Sequence, residues 1–324
     1  MNKFYSIFLI AIFFIATDSF ARENVPNGSG KGNTDNSTLA TGCSATTAKT
    51  DLDINNVRTT ILVGSDMWWD VSNPKHEVPK GSGKHSMFAG ALWIGGLDAG
   101  NQLKMAAMTY RQDGNDFWGG PINQSTVDVT PTTCSKYDRH WKITRQEVAD
   151  FKTNFVDNGN SPVAGYVVPE AIRTWPGNGD SIGNNETSLL APFFDSDGDR
   201  EYDYTKGDYP LYDFGDTLSC TACGNPDYQD ILFGHQTLWW VFNDVGNIHL
   251  ETEAPAIGLE VQAQAFAFNS NNEINSMTFY KYKIINRGTT TLFDTYFGQW
   301  VDPDLGNYID DYVGCDVGRG LGYC

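Results

Sequence analysis

Histidine is scarce in this chain. His76, His85, His140, His235 and His249 are the whole set in 324 residues. No two stand at a ligand spacing and no HExxH occurs, so a zinc protease lacks its ligands. Basic residues are also few: 22 Lys and Arg face 40 Asp and Glu, a formal charge of -18. Such a balance excludes nucleic acid and anionic membrane surfaces as partners. After the first 21 residues there is no long apolar run, so no transmembrane span is expected beyond that point. No repeat of fixed period runs along the chain. Helix signals are nearly missing as well. GSGKHS (81–86) has the glycines of a phosphate loop but not the GxxxxGK[ST] spacing.

What is present begins with MNKFYSIFLIAIFFIATDSFA. Lys3 precedes a mostly apolar run from Phe4 to Ala16, and Ser19 and Ala21 form a small-x-small site. These features predict a signal peptide over 1–21 and an exported protein at the cell surface or outside it. Residues 22–50, rich in Gly, Asn, Ser and Thr, are expected as a disordered linker. Cys43, Cys134, Cys220, Cys223, Cys315 and Cys324 make an even count, which in an exported chain predicts disulfides. Their fifteen possible pairings stay open. Cys220-Thr-Ala-Cys223, without a second such pair, reads as a local disulfide or two bridges rather than a zinc site.

A β-rich region is expected over 51–190. Apolar runs Met87–Leu97 and Leu103–Tyr110, split by the turn-prone Asp98–Asn101, predict a hairpin. WKITRQEVADFKTNF carries the one good helix signal, near 144–155: Thr144 and Glu147 form a capping box, with Val148 and Phe151 on one face. Over 191–324, HQTLWWVFND reads as a buried strand and GLEVQAQAFAF alternates. MTFYKYKII puts Tyr280, Tyr282 and Ile284 opposite Lys281 and Lys283, and LFDTYFGQWVD is expected as its returning strand. The expected class is a mostly β, antiparallel sandwich, jelly-roll or immunoglobulin-like, with one short helix and long calcium-binding loops.

The densest chemistry is FDSDGDREYDYTKGDYP (194–210), with five aspartates and one glutamate. Calcium takes six to eight oxygens, and alternate short carboxylates on a tight turn supply them. Asp195, Asp197, Asp199 and Asp203 are therefore expected ligands, with a carbonyl from Glu201 and closure by Asp208. The spacing follows the first half of an EF-hand loop but departs at the twelfth position, Lys206, where that loop carries Glu. It is closer to the DxDGD loops of extracellular modules. A second cluster, Asp302, Asp304 and Asp310 with Asp311 and Asp316, is a candidate for another calcium or for completing the first site. Glu170, Glu251 and Glu260 are candidate carboxylates for sugar hydrolysis. Trp68, Trp69, Trp93, Trp118, Trp239, Trp240 and Trp300 could stack on sugars, although most sit in apolar runs that suit a core.

The succession VPKGSGKHSMFAGALWIGGLDAGNQLKMAAMTYRQDGNDFWGGP, APFFDSDGDREYDYTKGDYP, LWWVFND, FYKYKIINRG and YFGQWVDPDLGNYIDDYVGCD resembles large secreted proteins of the type IX secretion system. The resemblance covers most of 52–324. It implies export, β structure and a surface or released multi-domain protein. The expected partners are other surface proteins or extracellular glycans. It supplies no catalytic residue. Such proteins usually carry a C-terminal sorting domain. This chain stops at GLGYC without one, so a fragment is expected. The reading is a calcium-stabilised interaction module without catalytic activity, with a polysaccharide-active hydrolase or carbohydrate-binding module as the alternative.

Overall fold

Val, Ile, Thr and aromatic residues between Gly and Asn turns favour extended backbone. Strands dominate the computed structural model, which describes residues 42–211 and 234–324. The expected signal peptide, the linker up to residue 41, Cys220 and Cys223 lie outside those residues. The described part of the expected linker is packed: Cys43 is buried and bonded to Cys134, and Thr46 is buried.

In chain order, β1 (Lys49–Leu52), β2 (Arg58–Leu62), β3 (Asp66–Met67), β4 (His76–Glu77), β5 (His85–Leu97) and β6 (Leu103–Ala106) come first. β5 and β6 are the predicted hairpin, and Asp98 Oδ1 closes its turn by accepting from the amides of Gly100 and Gln102. β7 (Trp118–Gly119), β8 (Trp141–Thr144), β9 (Phe193–Phe194) and β10 (Tyr209–Pro210) follow. The long strands are β11 (Gln236–Asn243), β12 (Leu259–Ala267), β13 (Phe279–Asn286) and β14 (Phe293–Pro303), and β15 (Gly314–Asp316) pairs with β16 (Leu321–Tyr323).

One sheet runs β1-β2-β3-β5-β14, with β4 and β6 paired at its side; the other runs β13-β12-β11-β7, with β8 on β11. Their inner faces share one core, in which Ile61, Met67 and Ile94 meet Trp240, Phe242 and Val261. The protein is thus mostly β and antiparallel, with two sheets face to face. Tyr280, Tyr282 and Ile284 pack on this core while Lys281 and Lys283 are exposed, as their alternation predicts. The strand after them departs from expectation. β14 does not return along β13 but crosses to the first sheet and pairs with β5, Trp300 opposite Ala91. The reason is aromatic packing there: Trp300 stacks on Trp93 at 6.0 Å and meets the Tyr110 ring edge-on at 5.2 Å.

β11 is buried on both faces, which is why LWWVF reads as a continuous apolar run. Its outer face, Trp239 and Val241, supports a second core with Trp141, Phe151, Ile172 and Trp175. Helix α1 (Pro131–Lys136) buries Cys134 beside Cys43 and Trp118, and helices α2 (Arg145–Phe151) and α3 (Glu170–Arg173) supply part of this third layer. The capping box forms on α2: the Thr144 hydroxyl accepts from the Glu147 amide, and the Glu147 carboxylate accepts from the Thr144 amide. α2 then runs on through a wide turn to Val156. α1 and α3 are too short to leave a periodic signal.

Candidate metal centre

The acidic loop lies between β9 and β10, which pair with each other (Phe194 with Tyr209, Phe193 with Pro210). Phe193, Phe194, Tyr202 and Tyr204 pack against the second core, so both ends and the middle of the loop are anchored by apolar contact. Gly198 takes φ 79° at the tip and Gly207 φ 102° at the exit, conformations open to glycine.

Three of the predicted ligands come together. Asp195, Asp197 and Asp208 each place a carboxylate oxygen within 4.8 Å of the others. Among the described residues no other group of three or more His, Cys, Asp or Glu does so. Asp208 is fully buried and accepts from the amides of Ser196 and Asp203, both at 2.8 Å, tying the loop's two limbs together. Burial raises its pKa above the ordinary Asp range and the charges of Asp195 and Asp197 add to that, while the two amides oppose it. Asp195 accepts from the amides of Gly198 (2.7 Å) and Arg200 (2.9 Å).

The other predicted ligands are engaged elsewhere. Asp199 is held by Lys206, whose ammonium also lies 3.2 Å from Asp197. The lysine holds Asp199 below the usual carboxylate range, and the two aspartates raise the lysine. Asp203 caps the following turn, accepting from the Thr205 amide (2.9 Å) and hydroxyl (2.6 Å), which lower it. Glu201 is exposed. The residue that breaks the EF-hand pattern is therefore the loop's own cation.

Asp302, Asp304 and Asp310 are not brought to ligand distance. Asp302 accepts from the Tyr110 hydroxyl at 2.5 Å and Asp310 is exposed. Asp302 lies at the end of β14 in the first sheet and the other two follow it, whereas the acidic loop sits on the third layer, so they do not complete the first site. Burial raises Asp304 to about 6, with Asp302 and Asp311 contributing.

Most of the candidate sugar-site residues are engaged in packing or pairing. Trp68, Trp69, Trp118, Trp239 and Trp240 are buried, and Trp93 and Trp300 stack on each other. Glu260 is buried and clamped by Arg287, Glu251 accepts from the Thr109 hydroxyl, and Glu170 faces Arg139 at 3.6 Å. One motif escapes the sequence reading: Gly179-Asp-Ser181-Ile-Gly183 matches GxSxG. It forms an exposed turn closed by Asp180 on the Gly183 amide, without the strand-to-helix setting of a nucleophile elbow. Also unforeseen is a buried polar knot. His249 Nε2 lies 2.6 Å from the Asp244 carbonyl and Nδ1 2.9 Å from the Met105 carbonyl.

No protein-family model, curated protein or solved structure matches the chain.

Proposed function

We propose that this is an exported interaction module whose third layer is fastened by calcium at Asp195, Asp197 and Asp208. The observation that carries the reading is the convergence of three carboxylates on a loop whose ends are already fixed by β pairing and apolar packing. Hard oxygen donors on a tight loop suit calcium rather than a soft or imidazole-seeking metal. Calcium would neutralise charges that the protein matches only in part through Lys206, so binding and folding of this layer are linked. The start of the chain and the resemblance to type IX-secreted proteins support the surface or extracellular setting and a role in contact with surface proteins or glycans.

The test uses the full chain, freed of metal. Calcium should bind in isothermal titration and raise Tm, and Asp197→Ala should abolish both effects. Equal melting in calcium and in chelator, with no binding at millimolar calcium, overturns the reading.

A further inference from the structure

Among the described residues the sandwich is open at one end. β13 and β14 are the outermost strands of their sheets, and among the described residues each pairs on one side only, with β12 and with β5. Phe297 and Val301 of β14 stand opposite Ile94 and Gly90. Ile94 belongs to the shared core, so this side of β14 faces inward. Yet Phe297 is 57% exposed and Val301 37%. A cleft of about 440 Å³ opens there, floored by Ile94 and Leu259 and walled by Ile284 and Phe297. A long edge strand with a free row of backbone groups and an uncovered apolar side is a template for one more strand.

Charge selects the occupant. Residues 293–324 carry six aspartates and one arginine, a net -5 (one minus six). A second copy would bring the same charge to the same edge and be repelled, whereas a basic strand is attracted.

We propose that β14 docks an extended segment of a partner protein in which apolar residues alternate with Lys or Arg. The segment adds as the next strand of the first sheet. Its apolar side chains cover Phe297 and Val301, and its cations meet the aspartates that flank β14. This inference names a partner for the interaction reading and does not require the metal.

The probe is a peptide as long as β14, alternating Ile and Lys, titrated into the full chain in calcium and again in chelator. Saturable binding is expected in both, with slowed amide exchange along β14. Phe297→Asp should weaken it about tenfold, a change the exposed site tolerates, and so should Glu in place of Lys in the peptide. N-methylation of alternate peptide amides should abolish binding. The proposal is overturned if the N-methylated, Glu-substituted or order-scrambled peptide binds equally well. It is also overturned if the chain alone forms a dimer that Phe297→Asp dissolves. Loss of peptide binding with calcium-dependent melting intact refutes this inference and leaves the metal reading standing.

Discussion

Asp244 and Asp208 are both fully buried carboxylates beside a tight loop, yet the protein treats them differently. Asp244 accepts from three successive amides, those of Ile257, Gly258 and Leu259, at 2.5, 2.9 and 2.6 Å. The His249 ring lies 3.8 Å from it. Asp208 has two amides, and its nearest charged neighbours are two more carboxylates. Burial raises both, but one carboxylate has its donors supplied by the fold and the other is left in like company. A buried carboxylate needs donors or a cation, and counting what surrounds each acid separates structural carboxylates from ligand candidates better than counting acids in the sequence.

The strongest way to break that contrast is at the completed site. Asp244→Ala strands three buried amides and should lower unfolding stability by about 3–5 kcal/mol. The loss, measured by denaturant unfolding, should be equal in calcium and in chelator. A calcium-dependent loss would mean that the two sites are not independent.

Asp208→Ala should behave otherwise. In chelator it removes two amide acceptors but also relieves repulsion from Asp195 and Asp197, so the net cost is about 1–2 kcal/mol. In calcium the cost grows, because the variant also loses the linkage term, roughly 3 kcal/mol at a hundredfold excess over Kd. The difference between the two conditions is the measured quantity, and a difference of zero would remove Asp208 from the ligand set.

Lys206→Gln sharpens the comparison further. The ammonium contacts Asp197 and Asp199, so it competes with an entering cation for Asp197. Without it, the loop should be less stable in chelator and should bind calcium several-fold more tightly in titration calorimetry. Unchanged affinity would show that the lysine leaves the site at no cost.

These contrasts mark how far the sequence could be read. The capping box on α2, the β5–β6 hairpin and the two-sided burial of β11 were legible because each depends on neighbours a few residues away. The pairing of β14 with β5 was not, since its cause is a stack between Trp93 and Trp300, more than two hundred positions apart. The acidic loop was half legible. Spacing nominated Asp195, Asp197 and Asp208 correctly as neighbours, but it also nominated Asp199 and Asp203, and only the structure shows Lys206 and Thr205 taking them. The Asp244–His249 knot rests on isolated residues with no motif between them.

Asp304 supplies the smallest effect and a third case: a half-exposed carboxylate crowded by acids, with no gathering of ligand oxygens. Burial, then Asp302 and Asp311, raises it to about 6 in the folded chain, from 3.8. The folded state therefore holds its proton more tightly than the unfolded state does. That contribution is fully present below about pH 4 and is lost as pH rises towards 6, with no further change above. Asp304→Asn should not show this loss, so its Tm should gain on that of the unaltered chain between pH 4 and 6 and stay level beyond. Asp208, also raised, should produce a fall of the same sign. Calcium should cancel the fall at Asp208, where three carboxylates converge, and leave the fall at Asp304 unchanged. If calcium flattens both, the aspartates after β14 gather an ion of their own, and the distinction between crowded acids and converging ones fails.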